Sequence, residues 1–407
     1  MVAHPRGDIA PAHDHGAPAP VARHVRWLLG LVLAPFVALA LAGLIALWPA
    51  GQAGPRVDSQ PRVDGTVAEV RGPPCPGGAG AQPCPAASVR LTSGDRAGAV
   101  VTATVPEGPH APRLAPGDRV ILLFAEAAPE EMQYEVVDFQ RGLPLALLAA
   151  AFAVAVVALG RIRGLAALAG LVVTFAALLL FVLPAILAGS SPLLVAIVGS
   201  AVIMLVALYL THGISARTTV AVIGTLASLV LTGLLAAFAI QASRLTGLAT
   251  EEAAALGSFV AGVDLRGLLL AGVIIGSLGV LDDVTVTQAS AVWELRRADP
   301  ALGARGLYRA SMRIGRAHVA STVNTLVLAY AGASLPLLLL FSASPLSATS
   351  VLTSEYVAQE VVRSLAGALG LIAAVPITTA LAALIATQYA PRRRAQRAHR
   401  ARRARHS

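Results

Sequence analysis

Two adjacent carboxylates, Asp282 and Asp283, stand at the end of an otherwise apolar stretch that runs from Gly267 to Leu281. Ionisable groups inside a membrane span are expensive unless paired or hydrated, so chemistry is expected here first. Asp283, Thr287, Ser290 and Glu294 follow one another at intervals of four, three and four, which lines them along one helical stripe. Asp282 points about 100° away, toward a different neighbour. No Lys or Arg lies between Gly267 and Glu294, so the pair is expected to hold a proton or bind a cation. A helix cap explains the same residues in another way. If the span ended at Leu281, the aspartates would open a new helix as N-cap and first-turn acids. That leaves a span of about 15 residues, under the usual minimum near 17. Gly272, Gly276 and Gly279 precede the pair at small-residue spacing and predict a close helix contact.

The next apolar stretch offers partners. Arg313, Arg316 and His318 precede it, and Ser321, Thr322, Asn324 and Thr325 occupy its first turns. Ser and Thr routinely bond back to their own helix, which leaves Asn324 as the residue that stands out. Before the last span, Glu355, Gln359, Glu360 and Arg363 form a polar helical face, able to cap a cavity or to sit in solvent. There is no phosphate-binding loop, no zinc-ligand spacing and no Gly-x-Ser-x-Gly elbow. An aspartyl protease shares one proton between two closely apposed carboxylates. Neighbours pointing 100° apart on one helix do not suit it. No enzyme activity and no cofactor are expected, and whether a metal binds stays open.

Composition sets the elements that must position these residues. The chain has 407 residues, 56% hydrophobic and 13% charged, with a mean hydropathy of +0.72. Soluble domains carry roughly a quarter charged residues, so a purely soluble enzyme is excluded. Eight apolar stretches are long enough to cross a bilayer as helices: residues 27–48, 143–160, 164–188, 192–211, 218–241, 267–293, 319–341 and 364–387. The first is longer than the apolar region of a cleaved signal peptide and reads as an uncleaved signal-anchor. Residues 49–142 differ in kind. Short alternating runs at 65–70, 87–91, 99–105, 119–124 and 134–138, separated by turns, predict a small OB-like β-barrel. Residues 1–26 read as a disordered tail, 143–390 as a seven-helix core and 391–407 as an Arg-rich tail.

The net charge of +9 comes from 31 basic residues, all Arg, gathered between the spans and at the C-terminus. That is the layout of orienting charge, not of a nucleic-acid surface. It places both termini on the cytoplasmic side of the membrane and residues 49–142 outside. Cys75 and Cys84 then lie in an oxidising compartment, where a loop-closing disulfide is expected. The competing readings are two free thiols and a soft-metal site, for which further ligands are lacking.

The run from Leu278 to Leu295, LGVLDDVTVTQASAVWEL, resembles the signature of the YibE/F-like family of bacterial membrane proteins. MRIGRAH (312–318) leading into TVNTLVLAYAG (322–332), and EYVAQEVVR (355–363) leading into VPITT (375–379), support the resemblance in order and spacing. The family implies a multi-pass architecture over about residues 27–390 but no reaction. Its motif positions here are Asp282, Asp283, Thr287, Gln288, Ser290, Glu294, His318, Asn324, Glu355, Gln359, Glu360 and Arg363. Two functions follow as expectations. One is a transporter whose intramembrane carboxylates bind a proton, cation or cationic solute. The other is an envelope scaffold or sensor whose outer β-domain binds a protein partner. The lipid bilayer is the expected partner of the spans. Oligomeric state is not readable from the sequence.

On intact cells, Cys75 and Cys84 should react with an impermeant maleimide only after reduction. Labelling without reductant contradicts the disulfide.

Overall fold

The computed structural model describes residues 23–49, 61–71, 86–106, 113–260, 262–343, 345 and 347–388. The tail up to residue 22, the Cys75–Cys84 segment with its expected disulfide, and the Arg-rich tail lie outside the described residues. Contacts divide the chain into two compact units, Arg56–Leu165 and the remainder.

The chain enters through helix α1 (Arg23–Ala46), which belongs to the larger unit. The smaller unit opens with β1 (Arg62–Arg71), β2 (Ala86–Leu91), β3 (Val100–Thr104), β4 (Arg119–Phe124) and β5 (Tyr134–Phe139). They close into a barrel in the order β1-β2-β3-β5-β4, with β3 and β5 parallel and the other pairs antiparallel. This is the expected OB-like Greek key. Period-two alternation supplies its core, with Val67, Val89, Leu91, Val120, Leu122 and Val136 fully buried. A bulge between Val67 and Glu69 lets the long β1 pair with both β2 and β4. β5 leads into α2 (Gly142–Gly160), and Arg141 donates to Asp138 Oδ1 at the junction, 2.6 Å away.

The larger unit resumes at Ala166 within α3 (Ile162–Ala177), followed by a π-helical turn at Leu178–Val182 and α4 (Leu183–Leu187). Then come α5 (Pro192–His212), α6 (Ala216–Ala242), the short α7 (Glu251–Phe259) and α8 (Leu265–Ala298). The chain finishes with α9 (Ala304–Ala333), α10 (Leu335–Ser342), α11 (Ala348–Leu352) and α12 (Glu355–Thr387). Among the described residues seven helices are long and apolar enough to cross a membrane, and eight if the bent pair α9–α10 is one span. Each of the eight expected stretches therefore has its helix.

Two details differ from the expectation. The stretch at 319–341 is not one straight span, because its helix begins at Ala304 and bends by 64° where α10 starts. Pro336, in the first turn of α10, cannot donate to the preceding turn, and the helix breaks there. Pro184 is absorbed by the π turn before it, and Pro376 sits inside an uninterrupted α12. The helical face carrying Glu355, expected ahead of the last span, forms the first turns of α12 itself.

At the centre, α6, α8 and α12 pack against one another through small residues and hydroxyls. A Cβ on Gly370 of α12 would collide with Thr232 Oγ1 of α6, and one on Gly224 of α6 with Thr378 Oγ1 of α12. The two helices thus lock reciprocally, each glycine receiving the other helix's threonine. Gly315 of α9 receives Gln288 of α8 in the same way, with Nε2 2.8 Å from a Cβ position. Of the glycines expected to make close contact, Gly272 and Gly279 face open space, and Gly276 meets Tyr330 Oη of α9 3.5 Å from a Cβ position. They fall on the face of α8 turned away from α6 and α12.

Gly370→Ala should lower the melting temperature of the purified protein, since overpacking a tight site costs about 1–3 kcal/mol. Adding Thr232→Ala should recover most of that loss. Failure of the second substitution to rescue the first contradicts the interlock.

Candidate functional site

α8 is unbroken from Leu265 to Ala298, so Asp282 and Asp283 are not helix caps. Asp282 lies about 25 Å along the axis from either end at 1.5 Å per residue. α8 buries Leu281, Thr285, Gln288 and Val292 against its neighbours. Asp282 stands at the edge of that buried face, and its Oδ1 is enclosed without a hydrogen-bond partner.

The reason lies in the hydroxyls around it. Thr225 of α6 lies beside the Asp282 carboxyl. Its Oγ1 is 2.7 Å from Thr285 Oγ1 of α8. Thr225 also reaches the Ala221 carbonyl at 3.0 Å, and Thr285 the Asp282 carbonyl at 3.1 Å. The two hydroxyls have two hydrogens to divide among two carbonyls and each other, and Oδ1 is left without a partner. An enclosed carboxylate oxygen without a donor is costly by about 1–3 kcal/mol or more. A proton on the carboxyl, or a cation beside it, removes that penalty.

One turn further along α8, Gln288 is fully buried and its Oε1 accepts from Thr379 of α12 at 3.0 Å. Its Nε2 is enclosed without a partner, as are the hydroxyls of Thr378 on α12 and Ser311 on α9. A second polar stretch therefore continues from the aspartate toward the Ala298 end.

The stripe expected to carry the site faces the other way. Asp283 and Glu294 are exposed, Thr287 and Ser290 are half-buried, and Glu294 pairs with Arg297 at 2.8 Å. His318 is half-buried with its Nε2 enclosed, while Asn324 is exposed. Asn324 lies nine residues beyond Gly315, on the opposite side of α9.

A separate cluster forms at the start of α12. The chain leaves α6 through Arg244 (φ 52°) and Gly247 (φ 84°), both in the left-handed region. The backbone N–H groups of Thr246 and Gly247 donate to Glu355 Oε1 at 2.6 and 2.9 Å. The Thr246 hydroxyl donates at 2.7 Å and Gln359 Nε2 at 3.2 Å. Glu355 thereby ties the α6–α7 loop to α12, with four donors on its Oε1. Glu360 and Arg363 pair with each other at 2.7 Å. Glu360 lines a cavity of about 230 Å³ beside the bend between α9 and α10, together with Tyr330 and Ser334. An apolar cavity of about 440 Å³ lies between α1, α5, α6 and α8. Asp282 lines neither.

A family model described as YibE/F-like protein matches residues 148–388, more than half the chain. The chain belongs to the YibE/F-like family. No curated protein and no solved structure matches it. The matched stretch contains both polar clusters of this YibE/F-like chain. The barrel and α1 precede it.

Sequence reasoning did not nominate Thr225, Ser228 and Thr232 on α6, Thr285 on α8, or Thr378 and Thr379 on α12. The signal was present in part. Thr225, Ser228 and Thr232 are three and four residues apart in an apolar helix, the spacing of a buried seam.

Glu355→Ala strips the Thr246 and Gly247 amides of their acceptor. Their hydrogen exchange should accelerate about tenfold or more, with each lost bond worth roughly 1.5–3 kcal/mol. Unchanged protection contradicts the tie.

Proposed function

We propose that this YibE/F-like protein is a multi-pass transporter of the bacterial plasma membrane in which Asp282 binds a proton or a monovalent cation. Both termini face the cytoplasm and the barrel lies outside, an orientation supported by the arginines clustered between and after the spans. The observation that carries the reading is the enclosed, partnerless Asp282 Oδ1 midway along an unbroken α8, with Thr225 and Thr285 beside it.

The donor set favours a small singly charged species. One carboxylate and neutral hydroxyls can accept a proton or a monovalent cation, whereas Ca²⁺ takes six to eight oxygens, several of them charged. Among the described residues no three His, Cys, Asp or Glu side chains come together. Binding cancels a charge at the contact between α6 and α8, so the two helices are held differently in the loaded and empty states. A broken span such as α9–α10 is a common feature of carriers and supports the same reading.

Melting temperature recorded across pH and with Na⁺, K⁺ and Mg²⁺ tests the proposal beside Asp282→Asn. Wild type should respond to pH or to a monovalent cation. A ligand at 100 times its dissociation constant adds about 2.7 kcal/mol, and the variant should lose that response. If both proteins respond alike, Asp282 binds nothing and the scaffold reading takes its place.

A further inference from the structure

One face of α8 is largely open among the described residues, with Tyr330 Oη of α9 reaching it at Gly276, 3.5 Å from a Cβ position. Gly272, Gly276, Gly279 and Asp283 follow one another along it, all exposed. No atom comes within 4 Å of a Cβ position on Gly272 or Gly279. Asp283 makes no ion pair or hydrogen bond among the described residues. It is a carboxylate presented outward near the middle of a spanning helix, a position that lipid tails cannot satisfy.

α9 carries a second uncovered polar face. Ser321, Asn324 and Thr325 are exposed. The Thr325 hydroxyl returns to the Ser321 carbonyl at 3.1 Å, whereas the Asn324 amide makes no hydrogen bond among the described residues.

The two faces lie at one level. Gln288 meets Gly315, and Gly276 meets Tyr330, so twelve residues of α8 run beside fifteen of α9. Interpolating at 1.5 Å per residue sets Asp283 level with about Ser321. The polarity is complementary, since α8 offers an acceptor while Ser321 and Asn324 offer donors. Within one chain they cannot meet, because Asn324 is on the side of α9 opposite Gly315. Two copies related by a two-fold axis, with α9 of each against α8 of the other, satisfy both faces at once. The glycines leave room for that approach.

We propose that this face binds a second copy of the chain, with Ser321 and Asn324 of each copy donating to Asp283 of the other. The surface is distinct from the Asp282 site and does not depend on its ligand.

Particle mass in nanodiscs assembled over a range of protein concentrations tests the proposal, with Gly279→Leu as the variant and Gly30→Leu as control. Both glycines face open space, so neither leucine clashes within the chain. Wild type and Gly30→Leu should form dimers. Gly279→Leu should be monomeric with an unchanged melting temperature, and Asp283→Ala should weaken the dimer at least tenfold. A wild type that is monomeric throughout, or a Gly279→Leu protein that stays dimeric, overturns the proposal. So does a monomeric wild type whose melting temperature falls in Gly279→Leu, because a helix of the same chain would then cover the face.

Discussion

The reciprocal lock between α6 and α12 is the contact on which the rest of the helical unit depends. Gly224 admits Thr378 and Gly370 admits Thr232, so the two backbones approach more closely than any larger residue permits. In lipid the hydrophobic effect does little to hold helices together, and close packing with interhelical hydrogen bonds takes its place. With α6 and α12 fixed, α8 has one groove in which to lie. Its Thr285 then falls on Thr225, and its Gln288 on Thr379. Asp282 is held beside Thr225 by the same register and cannot turn away without breaking it.

That arrangement explains why the polar groups of the core are not equivalent. Thr225, Ser228, Thr232 and Ser277 each satisfy themselves on a carbonyl of their own helix, so an apolar neighbour can pack over them. A carboxylate has no such recourse, because it carries no hydrogen, and Asp282 Oδ1 is enclosed without a partner. Glu355 shows the contrast, since its carboxylate receives four donors and serves to fasten a loop.

Much of the fold was legible because length and period are strong signals. Twenty apolar residues have few ways to fold, and turns such as Ser93-Gly94-Asp95 and Pro116-Gly117-Asp118 delimit strands plainly. Within the site, spacing placed Asp283, Thr287, Ser290 and Glu294 on one stripe, and they do share a face of α8. Spacing alone could not say which stripe faces the protein, because a 100° rotation separates Asp282 from Asp283 and both neighbouring faces carry polar groups. The decisive evidence sat on other helices, where Gly224 and Gly370 lock α6 to α12 and Gly315 admits Gln288, so that α8 lies in by its Thr285–Gln288 side. The three prolines illustrate the same limit. Only Pro336 breaks its helix, and it does so where packing on α9 is thin, whereas Pro376 is buttressed by neighbours along α12.

The central claim is that the Asp282 carboxyl changes state when the protein takes up its proton or cation. Infrared difference spectroscopy on the protein in lipid, driven by a pH step or by cation addition, reads that change directly. The account predicts a carboxyl band in the difference spectrum of the wild type that is missing from Asp282→Asn and kept in Asp283→Asn. Identical spectra for wild type and Asp282→Asn would contradict it.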